Sequence, residues 1–187
     1  MKTSSINDWL YRLGSKTPTP GGGAVAALNG AIAAAQLKMV FMYSAPDETL
    51  GKQETYDSQI ETFLNLAEAD SSAYNNVREA YASKDQIKIN KALLKAIKPS
   101  MDIIANCEDL TYLCEENYQK FNRRFKADLI VVLTNLRAAV QSAAAMVAAN
   151  LHALEYEAPQ EVKSTVNNAR KLLKRIDNLC EKVEDIK

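Results

Sequence analysis

Between Thr17 and Val40 the chain reads Thr-Pro-Thr-Pro-Gly-Gly-Gly-Ala-Val-Ala-Ala-Leu-Asn-Gly-Ala-Ile-Ala-Ala-Ala-Gln-Leu-Lys-Met-Val, and no other stretch narrows the possible folds as much. A residue that precedes proline is pushed out of the helical region, so Pro18 and Pro20 hold the approach extended. Gly21, Gly22 and Gly23 are flexible and poor at starting a helix, whereas Ala24 onward is strongly helix-forming. The pattern predicts a glycine loop delivering the chain into an alanine-rich helix that begins at Ala24 and runs to about Tyr43. Free backbone N–H groups and the positive end of the dipole meet at such a helix start, which suits an anion. A tight turn followed by a close helix–helix contact accounts for the same residues equally well. The spacing is neither a P-loop nor a dinucleotide fingerprint, since Gly-Lys-Ser/Thr and a preceding strand are both missing. Gly30 costs about 1 kcal/mol relative to alanine inside a helix, so it marks a close approach.

The remaining segments carry helical periodicity. Ser5 can cap a short helix bearing Trp9, Leu10 and Leu13, which Gly14 ends. Ser44–Gly51, with Pro46, reads as a loop. Tyr56, Ile60, Phe63, Ala67, Asp70, Tyr74, Val77 and Tyr81 then follow at alternating steps of four and three, one face of a helix. Asp70 alone on that stripe is charged, and a carboxylate facing a core is expensive unless paired or useful. A capping or hydrogen-bonding acid, or a stripe rotated toward water, is the ordinary alternative. Another helix starts near Asp85, and Pro99 either kinks or restarts it. Asn122-Arg123-Arg124-Phe125-Lys126-Ala127-Asp128 links into a long helix with Asp128 in its first turn, where an acid complements the dipole. Asn150 is a second polar residue on an apolar face, and a buried amide cross-link between helices explains it without a ligand. Pro159 can open the last helix. No strand signal appears, and the expectation is one all-α domain over residues 1–187, a multihelical bundle of long antiparallel helices.

Composition removes several function classes. Lys and Arg together number 23, as do Asp and Glu, so the zero net charge gives no argument for nucleic acid or an anionic membrane surface. Three cysteines without framework spacing read as reduced core thiols of a cytoplasmic protein. A single histidine, His152, and no Cys-x-x-Cys argue against a zinc site. The apolar segment Leu129–Leu151 is broken by Asn135, Arg137, Gln141 and Asn150 and reads as a buried helix, not a membrane span.

The words Pro-Thr-Pro-Gly-Gly-Gly-Ala-Val-Ala-Ala-Leu, with Met39-Val40 closing the helix, resemble the formiminotetrahydrofolate cyclodeaminase and methenyltetrahydrofolate cyclohydrolase family. Asp70, Ala73 and Tyr74 match that family's Asp-x-x-Ala-Tyr motif. Pro99 matches its proline bend, and Asn122 and Asp128 match its Gly-Asn-x-x-x-Ser-Asp segment, in which Phe121 and Ala127 here replace the glycine and the serine. The family also has an asparagine near Asn150. The resemblance implies a homodimer with a folate cleft at or near its interface, and no cofactor or metal beyond the tetrahydrofolate substrate. The expected catalytic residues are Asp70, Tyr74 and Asp128, and the expected substrate contacts are Pro20, Gly21, Gly22, Gly23, Lys38, Asn122 and Asn150.

Two reactions are implied, a cyclodeaminase step that releases ammonia and a cyclohydrolase step that adds water. Asp70 would act as general acid–base, oriented by Tyr74. The family's Gly-Lys-Lys-Lys-Tyr cluster survives only as Gly51-Lys52 and Tyr56, with Gln53 and Glu54 between them, and Lys38, Arg123, Arg124 and Lys126 are the substitutes for gripping a polyglutamate tail. The helix between Tyr56 and Asp70 is also shorter than the family's. A catalytically inactive folate-binding or protein-interaction module is the alternative.

Overall fold

The computed structural model describes residues 5–44 and 53–185. They form six helices: α1 (Ile6–Leu13), α2 (Gly22–Ser44), α3 (Gln53–Ser83), α4 (Gln86–Asn117), α5 (Lys126–His152) and α6 (Gln160–Glu184). Short 3₁₀ turns at Tyr118–Lys120 and Arg123–Phe125 join α4 to α5, and no strand occurs among the described residues. The all-α expectation is met. The expected loop beyond Ser44 and the Gly51-Lys52 pair lie outside the described residues, as do the side chains of Gln53 and Glu54.

Local chemistry sets the helix ends. Ser5 caps α1 by accepting the Asp8 N–H at 3.1 Å, and Gly14 closes it against the Leu10 and Arg12 carbonyls. Lys84 takes a positive φ of 56° between α3 and α4. Asp85 then caps α4, accepting the Ile87 and Lys88 N–H groups at 3.0 and 3.2 Å. Pro159 precedes α6 as its cap residue. Pro99 lies within one continuous α4, so the helix does not restart there.

The start of α2 departs from expectation. The helix begins at Gly22, so two of the three glycines are helical and not loop. A Cβ on Gly22 would meet the Met146 sulfur of α5 at 3.1 Å, and one on Gly23 would overlap the Asp70 carboxylate of α3. Close packing from two sides holds the turn that glycine propensity alone would not form.

Helices α2, α3, α4 and α5 make a four-helix square in which each touches its two neighbours, and α6 packs outside against α5 and α4. Along α2, Gly23 faces Asp70, Gly30 faces the Phe63 ring and Lys38 pairs with Asp57 at 2.5 Å, so α2 and α3 are antiparallel. Gly22 against Met146 and Gln36 against Asp128 show the same for α2 and α5. Phe63, Leu37, Ile97, Leu133, Leu136 and Ile176 are fully buried. The close approach expected at Gly30 is the Phe63 ring.

Helix α3 continues for about 20 Å past its contact with the start of α2, at 1.5 Å per residue. The α3–α4 hairpin therefore overhangs α2. The overhang has a small core of its own, Val77, Ala80, Ile89, Leu93 and Ala96, capped by Ala153 and Leu154.

Cys107 and Cys114 are buried and Cys180 is half-buried, all free. Among the described residues two helical segments, Gly22–Ser44 and Arg123–His152, are long and apolar enough to cross a membrane by length and composition. Within the bundle α2 packs on α3 and α5, and α5 on α2, α4 and α6.

Candidate active site

Beneath the overhang, where α2 begins, lies a cavity of about 450 Å³. Thr17 to Gly23 form one wall, Asp70, Tyr74 and Val77 of α3 another, and Ala96, Met146, Ala149 and Asn150 complete it. Thr17 Oγ1 bonds the Arg12 carbonyl at 3.1 Å and the Thr19 carbonyl at 3.2 Å, so the end of α1 braces the loop. Pro20 is buried, and the Thr19–Pro20 peptide is cis.

Asp70 is the electrostatic centre of this cavity. Its carboxylate rests on the Gly23 Cα and accepts the backbone N–H of Ala24. Burial pushes its pKa up, and the Ala24 N–H pulls back only part of that rise. A carboxylate at a helix start gains from the dipole, yet here desolvation outweighs the donor. The acid therefore holds its proton to higher pH than a surface aspartate.

The other expected site residues divide into two groups. Pro20, Gly21, Gly22, Gly23, Tyr74 and Asn150 line the same cavity as Asp70. Tyr74 is 46 % exposed, and no hydrogen bond joins it to Asp70, because the apolar stripe turns toward solvent there and Ala80 is buried while Tyr81 is half exposed. Asn150 donates to the Met146 carbonyl of its own helix at 3.0 Å, so it is not the interhelical cross-link that sequence allowed.

Lys38, Asn122 and Asp128 lie at the opposite end. Asp128 accepts from Gln36 Nε2 at 2.8 Å, and the Asn122 backbone N–H donates to Ser44 Oγ at 2.9 Å. Gln36 is about 20 Å along α2 from Gly23, so within one chain these three do not join the Asp70 cavity. The antiparallel order of α2 and α5 is the cause. Sequence reading missed Met146 and Ala96 as cavity walls, since both fit a plain core pattern. Among the described residues no group of three His, Cys, Asp or Glu side chains converges as a metal site would.

The site is thus a cleft of an up-and-down helical bundle in which a desolvated acid rests against a glycine-walled helix start. Residues 5–171 match the model of the family described as formiminotransferase-cyclodeaminase, and the chain belongs to that family. Formimidoyltransferase-cyclodeaminase of Dictyostelium discoideum is 27% identical over 203 residues, covering all of this chain and 36% of that protein. The chain thus spans about a third of the length of this relative. Methenyltetrahydrofolate cyclohydrolase of Methylorubrum extorquens is 27% identical over 173 residues, 81% of each protein. The crystal structure of formiminotetrahydrofolate cyclodeaminase from Thermotoga maritima superposes with a TM-score of 0.77 at 22% identity, covering 98% of this chain and 95% of that one, and shares the fold.

Proposed function

We propose that this protein is a folate one-carbon enzyme that works on the C–N bonds of 5-formimino- or 5,10-methenyltetrahydrofolate by acid–base catalysis at Asp70. The observation that carries the proposal is a carboxyl group with a raised pKa in a cavity walled by the glycine segment. Family membership and the activities for which the two relatives are named point the same way.

In the cyclodeaminase direction, N10 attacks the formimino carbon and gives up its own proton to the imine nitrogen, protonated Asp70 supplies the second proton, and the carbon–nitrogen bond breaks to release ammonia and leave the 5,10-methenyl cation. In the cyclohydrolase direction, ionised Asp70 takes one proton from water as its oxygen adds to the methenyl carbon, and the remaining hydroxyl proton passes to N5 as the bond from carbon to N5 breaks, giving the 10-formyl compound. A carboxyl group whose pKa lies nearer the working pH serves both steps. Neither step needs a cofactor beyond the folate itself. Gly21–Gly23 let a flat ring approach the backbone, and Tyr74 and Asn150 flank it.

A homodimer belongs to this reading. Val25, Leu28, Ile32, Ala35, Met39 and Met42 form a stripe on α2 at steps of three and four, and Ile32 and Met42 are 44% and 54% exposed. Such a seam suits a second copy of the same helix. Antiparallel pairing of two such seams would set Lys38, Asn122 and Asp128 of one copy toward the glycine segment of the other. Free thiols and neutral charge favour a cytoplasmic protein with both long apolar helices inside the bundle.

The deciding experiment follows methenyltetrahydrofolate absorbance and folate-induced thermal stabilisation for the wild type and Asp70→Asn. Expected are turnover by the wild type, a loss of about 10²-fold or more in the variant, and a folate-induced Tm rise in both. Normal turnover by Asp70→Asn removes the acid–base assignment. A wild type that neither turns over nor is stabilised by folate removes the reading as a whole.

A further inference from the structure

Among the described residues, Ser100 and Thr111 are the serine and threonine that are fully buried. Thr111 bonds back to the Cys107 carbonyl at 2.8 Å, the usual solution for a hydroxyl inside a helix. Ser71 of α3 and Thr134 of α5 do the same with the Ala67 and Ile130 carbonyls. Ser100 does not, and its Oγ has no hydrogen-bond partner in the protein. A buried hydroxyl without a partner is costly, and evolution retains one where something other than protein answers it.

Two further features place that partner. Ser100 follows Pro99, which has no N–H to offer the Lys95 carbonyl one turn back, so a second polar group of the same turn lacks its ladder bond. Openings of this kind in the helical ladder are where water inserts. Ser100 also lies one turn from Ala96 on the same face of α4, and Ala96 is a wall of the Asp70 cavity. Side chains on a helix tilt toward its N-terminus, which directs the Ser100 side chain toward Ala96. Alanine there leaves room that a larger side chain would fill.

We infer that Ser100 anchors a bound water inside the bundle, one turn beyond the Ala96 wall, held by the Ser100 hydroxyl and by backbone carbonyls of the turn that Pro99 opens. A water retained in a protein interior takes two to four polar partners, and the hydroxyl together with the carbonyls beside Pro99 can supply them. This site is independent of the folate reading, since it rests on α4 alone.

The test pairs a high-resolution crystal structure of the wild type with the thermal stability of Ser100→Ala. Expected is ordered water density within about 2.6–3.2 Å of Ser100 Oγ, lost in Ser100→Ala, with the variant's Tm lower by roughly 2–4 °C. The sign of the shift discriminates. If the hydroxyl faces a dry core, Ser100→Ala deletes an unsatisfied group and Tm rises. A rise in Tm, or a wild-type map without water at Oγ, overturns the inference, and neither readout depends on turnover.

Discussion

The Asp70 carboxylate occupies the space in which a side chain at residue 23 would begin. The two residues are 47 positions apart in sequence, and each explains the other. Glycine is needed at 23 because an acid stands there, and the acid is desolvated because a helix start closes over it.

Gly23→Ala is therefore expected to remove activity and to destabilise by about 1–3 kcal/mol, the usual cost of forcing atoms into a packed site. Gly21→Ala is the matched control, because nothing lies within 4 Å of a Cβ at Gly21. That change should be neutral or stabilise by up to about 1 kcal/mol by restricting the unfolded chain. Urea melts and a folate turnover assay check both. Equal effects at the two positions contradict the packing argument.

The raised pKa of Asp70 makes stability depend on pH in a defined direction. Below the ordinary carboxylate range of about 4, folded and unfolded chains both carry the proton and burial of the group costs little. As pH rises through the higher folded-state pKa, the unfolded chain ionises freely while the folded chain resists, so the contribution of the neutral acid is lost. Asp70→Asn abolishes this dependence. Its Tm relative to wild type should climb from near zero at low pH to a positive plateau at neutral pH. A difference that is flat, or that falls with pH, means the carboxylate is net stabilised by the Ala24 N–H.

Gly30→Ala separates fold from site. A Cβ there overlaps the Phe63 ring, a fully buried side chain with nowhere to move. The expected loss is about 1–3 kcal/mol in chemical denaturation, with kcat retained in the fraction that stays folded, because the cavity residues are two turns away. A variant that keeps its stability but loses turnover would place Gly30 in the site.

Arg175 ties α6 to α4 through Glu108 at 2.8 Å and Glu115 at 2.7 Å. The pairs are about a third exposed, so Arg175→Leu should cost no more than about 0.5–1 kcal/mol, and less in high salt. Thermal melts at low and high ionic strength decide it. A larger, salt-independent loss would show that packing of the arginine stem matters more than its charge.

Thiol chemistry offers a check on the bundle as a whole. Burial raises the pKa of Cys107 and Cys114, and Cys180, less buried, is raised as well. In the native protein a thiol reagent at pH 8 should titrate Cys180 slowly and the other two only on unfolding. Fast modification of Cys107 or Cys114 would mean that the centre of α4 opens readily.

Helix number and type were legible in the sequence because periodicity and caps act locally: Ser5, Gly14, Asp85 and Pro159 sit at the ends they were expected to mark. Asp70 was legible for a similar reason, since one acid on an apolar stripe is a conflict that packing must resolve. The helical state of Gly22 and Gly23 was not. Propensity argued for a loop there, and the contacts that overrule it come from α3 and α5, far away in sequence. The separation of Asp128 from Asp70 was equally hidden, because matching motifs gives membership of a site but not the direction in which helices run. Tyr74 shows the limit of periodicity itself: the stripe holds as a pattern while the surface it faces changes from core to solvent.

The overhang of α3 and α4 beyond the first turn of α2 has a consequence for how such proteins diversify. The ligand space is a gap left by unequal rod lengths, not a hollow carved by small side chains. Adding or deleting a turn at the Lys84–Asp85 bend would deepen or shorten the chamber while leaving the acid and its glycine partner in register. An insertion at the hairpin tip can thus change the reach of the chamber with no substitution at Asp70 or Gly23.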